Sequence, residues 1–416
     1  MFSMSRRLML GGATGAASLA SIGSLRAQQA NPIRIGLIQT LSGSVGDLGR
    51  LHLLGAQVAV KQINDDGGIN GRPIELVVRD ARFNAADAIS ALHEFAGMGI
   101  NLVHGEIFSP VVFATLPLLP QLKIVNISPS INTADPTHDK YTRYFFRCAA
   151  SGHMQYGGQG LLMAKVAPKA VRWSGVVSDY LGAKQIYDTL TIALKKHHKR
   201  LHGQDIVLID PVLTKPGSTD FRNAAAQAVS LNLDAVHIGL PGGEAVSFCQ
   251  QAKPFGLFQN LKAVSDTTLS VTAGPSLRTA TPPNFWSACL WHIEGYKQVK
   301  LAQRFHADVL AETKLADVNP FTAQAHTAIM SFAGAIRAAG GTDTEKVIAA
   351  LETITFDSVF GALSYRPEDH QLRVNPGFLH VEPVEREPFY RNAEFVSLPW
   401  QDLIEPPTPG KAFVEE

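Results

Sequence analysis

The sequence predicts an α/β protein made of two Rossmann-like lobes, each built on a parallel β-sheet covered by helices. Two observations lead to this prediction. Short apolar runs typical of strands alternate with amphipathic helical segments from residue 33 to about residue 264, which is the pattern of successive βαβ units. The chain is also 416 residues long, which is enough for two to three domains. Because the strands are too many for one compact half, we expect two sheets.

The first predicted lobe begins with a buried strand at residues 33–38. A helix follows at 49–65, where Leu51, Leu54 and Val58 recur on one face. The remaining predicted elements continue the alternation. They are a strand at 74–78, a helix at 84–97, a strand at 102–104, a short helix at 110–119 and a strand at 124–127.

The second predicted lobe repeats the pattern after residue 150. Its strands are expected near 175–178, 206–209, 235–239 and 262–264, and its helices near 155–166, 182–200, 220–231 and 243–255. The chain then becomes rich in helix, at 298–313, 322–339 and 344–354. Thr342 and Glu345 have the spacing of a capping box at the start of the last helix. Short strands and turns are expected after Phe360.

Composition excludes several classes of protein. Hydrophobic residues make up 45% and charged residues 18% of the chain, as in ordinary globular proteins and unlike disordered chains. Lys and Arg number 37 against 36 Asp and Glu, for a net charge of +1. This balance provides no strong basic field, so a nucleic acid partner is not expected. Three cysteines cannot form a disulfide framework.

The amino terminus predicts export. Arg6 and Arg7 precede 18 residues without a charge, Leu8 to Leu25, and a small residue, Ala27, ends the segment. This is the layout of a secretory signal peptide, here residues 1–27, and the arginine pair resembles a twin-arginine signal. An ordinary secretion signal and a membrane anchor are the alternatives. Removing 1–27 takes away three arginines, so the balance becomes 34 against 36 and the net charge −2.

Two glycine- or histidine-rich motifs are best interpreted as structural. Gly67 to Gly71 follows a predicted helix and precedes a strand, whereas a phosphate-binding loop follows a strand and opens a helix. The glycines therefore fit a helix carboxyl terminus. His197 and His198 lie in a basic helix end near Gly203 rather than in a metal-ligand motif.

The sequence contains no convincing catalytic or metal-binding motif. There is no Gly-x-Ser-x-Gly, no His-Glu-x-x-His and no Cys-x-x-Cys, and the cysteines are 101 and 40 residues apart. We therefore expect a protein that is not an enzyme, with no cofactor and no metal.

Polar residues after predicted strands indicate a binding crevice. Ser109 and Pro110 follow the strand at 102–104 and suit the start of a helix. Ser130 lies in a second polar loop after the next strand, and Asp266 follows a strand of the second lobe. Ligands of open α/β sheets bind beyond the carboxyl ends of strands. The two serine loops could hold a carboxylate and Asp266 could supply a negative charge. The alternative is that all three are ordinary loop and helix caps.

These segments together resemble the periplasmic solute-binding proteins of ABC importers, in the leucine/isoleucine/valine-binding family. The resemblance covers nearly the whole chain after the signal and is most specific in its first part. The motifs that carry it are Ile35-Gly36 through Leu41-Ser42-Gly43, Gly55-Ala56-Gln57-Val58-Ala59-Val60, Ile63-Asn64, Gly67-Gly68-Ile69-Asn70-Gly71-Arg72, Glu75-Leu76-Val77-Val78, Ile127-Ser128-Pro129-Ser130, Phe146-Arg147, Thr219-Asp220-Phe221 and Phe360-Gly361.

The resemblance implies the type I periplasmic binding fold, in which three crossover segments join two lobes that close on a ligand like a hinge. It places residues 31–150 plus 290–360 in lobe one and residues 151–289 plus 361–400 in lobe two. Residues 401–416, rich in proline, are expected to form a loose tail.

The same resemblance implies site residues, one position at a time. Ser109 matches a serine that holds the ligand carboxylate, Ser130 matches a position of main-chain contact, and Asn132 stands where Thr is frequent. Asp266 stands where an acidic residue binds the ligand ammonium, and Tyr180 falls near a family tyrosine.

Three departures from the family pattern bear on the ligand. Leu48 replaces a pocket aromatic, His153 falls where Asp is usual, and His326 lies near a position that is often Tyr. Asp266 argues for an amine on the ligand, whereas Leu48, His153 and His326 argue against a classical branched-chain amino acid.

The resemblance implies a periplasmic receptor that delivers a small amino acid, or a related carboxylate or amide, to a membrane ABC permease. Glu368-Asp369-His370-Gln371 is similar to members that bind amides or aromatic acids. A binder of an aromatic acid, and a sensing subunit that passes ligand occupancy to a signalling partner, are the alternatives.

Overall fold

The first sheet is entirely parallel and contains the first five strands. A computed structural model describes residues 31–43 and 46–414, so the predicted signal peptide lies outside the described residues. The strands are β1 (Ile33–Gln39), β2 (Ile74–Asp80), β3 (Leu102–His104), β4 (Val125–Ser128) and β5 (Phe145–Arg147). The helices between them are α1 (Gly46–Asp65), α2 (Ala85–Gly97), α3 (Ser109–Thr115) and α4 (Leu118–Leu122). The strand order is β2-β1-β3-β4-β5, and helices that connect parallel strands cover both faces of such a sheet.

The chain then enters a second sheet. A π-helical turn at His153–Gly157 leads into α5 (Gly158–Val166). The strands are β6 (Arg172–Ser178), β7 (Val207–Leu208), β8 (Val212–Thr214), β9 (Ala235–Gly239), β10 (Ala263–Asp266) and β11 (Phe285–Ala288). The helices are α6 (Leu181–His202), α7 (Arg222–Ser230), α8 (Gly242–Ala252) and α9 (Ala273–Leu277). The strands β6, β9, β10 and β11 pair in parallel, as the alternating pattern predicts.

The last third of the chain returns to the first sheet and then crosses back. Its elements are α10 (Ile293–Tyr296), α11 (Lys300–Thr313), α12 (Pro320–Ala339), α13 (Thr344–Leu351), the hairpin β12 (Phe356–Ser358) and β13 (Gly361–Leu363), and the strands β14 (Gly377–Pro383) and β15 (Tyr390–Ser397). Helix α12 packs along α1 beside the first sheet. Strand β14 joins the second sheet antiparallel to β11, and β15 pairs with β14. The chain therefore passes between the two sheets after β5, after β11 and after β13.

Close packing of α1 on α12 depends on a glycine. A Cβ atom at Gly55 would overlap the backbone carbonyl of Thr322. The two helices therefore approach more closely than any side chain at residue 55 would allow. Alanines then fill the interface, since Ala56 and Ala59 belong to the same buried core as Ala328 and Phe332.

Several details differ from the sequence-based expectations. Phe108 is the residue that precedes α3, so Ser109 is the first residue of the helix and not its cap, and no side chain caps this end. The cap of α13 is Asp343, whose side chain accepts a hydrogen bond from the backbone of Lys346, so the expected Thr342 cap is one residue off. The glycines after α1 do have the left-handed conformation of a helix end, with φ of 92° at Gly67.

The carboxyl-terminal segment is not a loose tail over its described part. Glu405 is 1% exposed, and Leu403 belongs to the buried core. Thr408 and Gly410 form hydrogen bonds to His138. Prolines exclude regular secondary structure here, but they do not prevent the segment from packing. Within residues 31–43 and 46–414, no helix is both long enough and apolar enough to cross a bilayer.

Candidate functional site

Three of the predicted site residues lie at one edge of the first sheet. Leu48 is in the first turn of α1, after β1; Ser109 begins α3, after β3; and Ser130 follows β4. The strands β1, β3 and β4 are parallel neighbours in the sheet. Their carboxyl ends therefore meet at the same edge, about 5 Å apart from strand to strand. This edge is where open α/β sheets bind ligands.

The loop after Ser130 brings more polar groups to this edge. The hydroxyl oxygens of Ser109 and Thr133 are 3.5 Å apart. The amide Nδ2 of Asn132 donates a hydrogen bond to the hydroxyl of Tyr156 at 3.2 Å, and the carbonyl of Asn132 accepts one from the backbone of Gly152 at 2.8 Å. The loop is thus fastened to the crossover that leads into the second sheet.

Tyr156 is a site residue that sequence reasoning missed. Burial raises the pKa of its hydroxyl, the hydrogen bond from Asn132 opposes that rise, and nearby Tyr180 adds to it. The hydroxyl is therefore neutral near pH 7 and can both donate and accept. Tyr180 itself is 44% exposed and immediately precedes α6, and its ring packs over Gly182.

These groups border a cavity of about 510 Å³ between elements of the two sheets. One wall is residues 132–135, and a second is the crossover at Ser151, His153 and Tyr156. A third wall is one side of α6, and Glu405 and Phe413 of the carboxyl-terminal segment complete the lining. The residues of α6 are Gly182, Gln185, Ile186, Asp188, Thr189 and Ile192. Ligand pockets are typically about 300–1,000 Å³, so this cavity can hold a small solute.

The predicted residues contribute to this cavity unequally. Asn132 and His153 line it directly. Ser109 and Tyr180 are not in the lining but contact residues that are: the Ser109 hydroxyl lies near that of Thr133, and the Tyr180 ring packs over Gly182. Ser130 and Leu48 are partly buried at the same sheet edge without being part of the lining.

Asp266 does not present a free carboxylate in this structure. It is fully buried at the end of β10. Its oxygens accept hydrogen bonds from the backbone of Thr268 and Leu269, from the Thr268 hydroxyl and from the Ser287 hydroxyl, at 2.7–3.0 Å. Oδ1 accepts three of these hydrogen bonds and Oδ2 accepts one. In this structure the Asp266 side chain organises its own loop, and its contact with a ligand ammonium stays a prediction.

His326 also lies away from the other predicted residues. Its Nε2 is 2.9 Å from the Gln62 side-chain oxygen, and its ring packs edge-on against Phe305. Gln62 is 14 residues beyond Leu48 in α1, which corresponds to roughly 20 Å along the helix axis. Burial lowers the pKa of His326 to about 3. It is a neutral, buried histidine in this structure and is not part of the cavity lining.

Glu405 is the second residue that sequence reasoning missed. Its carboxylate accepts a hydrogen bond from Ser151 at 2.8 Å and lies 3.7 Å from both Arg147 and His138. Burial alone would raise its pKa, but His138, Arg147 and Ser151 outweigh that effect and hold the pKa at about 2. The cavity thus borders a permanently ionised, buried carboxylate. Only its position among prolines was visible in the sequence.

The cavity lining carries negative charge. Asp135, Asp188 and Glu405 contribute carboxylates, and the described lining residues include neither Lys nor Arg. Asp135 is partly neutralised by an ion pair with Lys140 at 3.0 Å. Nowhere in the described part of the chain do three or more His, Cys, Asp or Glu side chains meet in a way that could hold a metal ion. The described lining is therefore acidic and mixed polar and apolar in character.

Two parallel-sheet lobes linked by repeated crossovers, with a cavity between them, define the class of type I periplasmic binding proteins. The chain belongs to the periplasmic binding protein family, whose family model matches residues 32–381. A curated relative is the leucine-, isoleucine-, valine-, threonine-, and alanine-binding protein of Pseudomonas aeruginosa. It is 24% identical over 341 residues, covering 81% of this chain and 86% of the relative.

Solved structures share the fold. The leucine-, isoleucine-, valine-, threonine-, and alanine-binding protein from Brucella ovis, in a closed conformation, matches with a TM-score of 0.76 and 17% identity, covering 92% of this chain and all of that one. A solute-binding protein of an ABC transporter from Rhodopseudomonas palustris BisB5, in complex with 3,4-dihydroxybenzoic acid, matches with a TM-score of 0.70 and 18% identity. That match covers 89% of this chain and 97% of the other.

Proposed function

We propose that this chain is the exported solute-binding receptor of an ABC importer and captures a small amino acid, or a related carboxylate or amide, between its lobes. The observation that carries the proposal is the cavity of about 510 Å³ whose walls come from the first sheet's loops and from α6 of the second. A solute that contacts both lobes stabilises their closed arrangement by its higher affinity for that state. A membrane permease then distinguishes the loaded from the empty receptor.

The charge of the cavity favours a ligand that carries an amine or an amide N–H. Its lining contains three carboxylates and neither Lys nor Arg; Glu405 and Asp135 have the basic partners Arg147 and Lys140 outside the lining, and a concave site lined by acidic groups attracts positive charge. Asp266 is hydrogen-bonded within its own loop and Glu405 is buried against Ser151, Arg147 and His138, so the more accessible Asp135 and Asp188 are the candidates to face a ligand ammonium. The amino acids in the name of the Pseudomonas aeruginosa relative agree with this choice.

A second candidate is an aromatic acid. The structural relative from Rhodopseudomonas palustris holds 3,4-dihydroxybenzoic acid, and Tyr156, His153 and Phe413 supply aromatic surface here. The carboxylates of the lining oppose this candidate, because an acid without an amine is an anion at neutral pH.

Export to the periplasm belongs to the same proposal. The supporting observations are the family membership and the signal-like sequence of residues 1–27. An importer receptor has to meet its solute outside the inner membrane.

Isothermal titration calorimetry with L-leucine, L-alanine, acetamide and 3,4-dihydroxybenzoate tests the proposal. We expect saturable heat with at least one amino acid and weak or no binding of the aromatic acid. Asn132→Ala should weaken binding about 10-fold, since it removes a lining polar group and frees Tyr156, a loss of about 1.4 kcal/mol. Asn223→Ala, on the exposed side of α7, is the matched control and should bind normally.

Two results would count against this proposal in different ways. No saturable heat with any of the four solutes would remove the proposed ligand class. Tight binding of 3,4-dihydroxybenzoate alone would replace the amino acid with the aromatic acid.

A further inference from the structure

The carboxyl-terminal segment 405–414, which we call the C-terminal strap, runs from the second sheet to the first. The strap follows β15 of the second sheet. Just before it, the backbone of Trp400 donates a hydrogen bond to the Asn375 side chain at 2.9 Å. The strap therefore starts beside the second sheet, and its later residues contact the first.

The strap is fixed to the rest of the protein at three points. The carbonyl of Glu405 accepts a hydrogen bond from Arg366 at 2.6 Å. The Thr408 hydroxyl pairs with Nδ1 of His138 at 2.6 Å, and the backbone N–H of Gly410 donates to the His138 carbonyl at 2.6 Å. His138 lies between β4 and β5 of the first sheet. Short hydrogen bonds on both sides of the prolines hold the strap in one path across the crossover region.

This path ends with Phe413 at the cavity. Its ring centroid is 5.0 Å from that of His138 and 5.3 Å from that of His153, both in the range of favourable ring packing. The ring is partly buried and forms part of the cavity lining. The other apolar side chains of the lining are mainly Ile186 and Ile192 of α6. Polar groups come from Asn132, Thr133 and Glu405, and also from α6, where Gln185, Asp188 and Thr189 belong to the lining.

We infer that Phe413 is a specificity-determining residue: the apolar part of the ligand packs against its ring and against Ile186 and Ile192. The inference rests on the proposed function and adds to it. It places the strap in the binding site and specifies a ligand that has a polar head and an apolar body. Apolar surface together with a few placed polar groups orients a small solute in a pocket.

Calorimetry on Phe413→Ala tests this inference, with L-leucine as the probe that has an apolar body and L-alanine as the probe that nearly lacks one. We expect affinity for L-leucine to fall at least fivefold, and affinity for L-alanine to change less than twofold. Phe413→Leu should restore most of the L-leucine affinity, because it keeps an apolar contact. Val414→Ala is the matched control, since Val414 is the next residue and is 73% exposed.

A further variant tests whether the strap positions Phe413. Thr408→Val removes the hydrogen bond to His138 and leaves the ring in the chain, so we expect a smaller loss of L-leucine affinity than in Phe413→Ala. If the unmodified chain binds 3,4-dihydroxybenzoate and not L-leucine, the same variants are compared by their affinity for 3,4-dihydroxybenzoate. The ring of this acid then provides the apolar body.

The outcomes separate the two proposals. If the unmodified chain binds a probe and Phe413→Ala binds it equally well, the role of Phe413 is overturned while the receptor function stands. If the unmodified chain binds none of the probes, the proposed function falls, and the inference falls with it.

Discussion

Glu405 is a single residue whose charge supports the region between the lobes. Its carboxylate is 1% exposed and lies next to the equally buried guanidinium of Arg147. Removing one member of a buried pair leaves the other charge without compensation, which is far more damaging than loss of a surface pair. The geometry of the cavity wall therefore depends on Glu405 being ionised.

We predict that Glu405→Gln destabilises the protein in a pH-dependent way. The folded pKa of about 2 lies below the ordinary value of 4.5, so the stabilisation is present above pH 4.5 and is lost as the pH falls from 4.5 to 2. The shift corresponds to about 3 kcal/mol. Urea unfolding at several pH values should show the variant less stable by about this amount at pH 7, with the difference shrinking toward pH 2.

Glu387→Gln is the control for this measurement. Glu387 pairs with Arg278 at the surface, where both side chains are largely exposed, and such pairs contribute less than about 1 kcal/mol. A difference between Glu405→Gln and the unmodified chain that stayed constant over this pH range would show that the ionised form of Glu405 is not what stabilises the fold.

Asp266 gives a second prediction at the scale of one residue. Asp266→Ala leaves the backbone N–H groups of Thr268 and Leu269 and the Ser287 hydroxyl without their acceptor. Buried groups that lose a partner cost about 1–3 kcal/mol each. We expect a stability loss of at least about 3 kcal/mol in urea unfolding. Full stability combined with loss of solute binding would return Asp266 to the ligand site.

At the scale of single residues, the sequence predicted only some of the residues that line the cavity. Asn132 and His153 could be placed because each follows a predicted element at a family-like position. Tyr156, Glu405 and Phe413 could not, because their roles come from contacts between segments far apart in the chain: Glu405 meets a residue more than 250 positions earlier. The hydrogen bonds of Asp266 within its own loop could not be predicted, because a loop carboxylate that caps its own turn has the same sequence as one that faces a ligand.

At the scale of secondary structure, the packing of α1 against α12 depends on how closely the two helix backbones approach. Gly55 has no room for a Cβ against Thr322, so the backbones of the two helices touch there. The amphipathic pattern of both helices was readable in the sequence. Their direct contact was not, because some 260 residues separate them.

We predict that Gly55→Ala destabilises the protein even though alanine is the better helix former. The added methyl has to displace the backbone of α12, and overpacking of this kind costs about 1–3 kcal/mol. Gly97→Ala is the matched control, because Gly97 ends α2 with open space around it. That change should be neutral or stabilising by up to about 1 kcal/mol. Thermal unfolding that ranked the two variants in the opposite order would contradict the packing described here.

At the scale of the whole molecule, alternation of strands and helices was sufficient to predict two parallel sheets. The sequence did not reveal the antiparallel edge formed by β14 and β15, since short strands after residue 360 carry no signal of their partner. It also did not reveal that the chain end returns to the cavity. Prolines and glycine in residues 405–410 predicted irregular backbone correctly, yet irregular backbone can still be anchored by hydrogen bonds.

We propose that a small solute binds between residues 132–135, His153 and α6. A crystal structure of the chain with the tightest-binding amino acid tests it most directly. We predict ligand density in this cavity, with the apolar part against Phe413 and the amine facing Asp135 or Asp188, while Asp266 keeps its four hydrogen bonds. Density at another place, or an Asp266 carboxylate turned away from its loop and onto the ligand, would contradict this account.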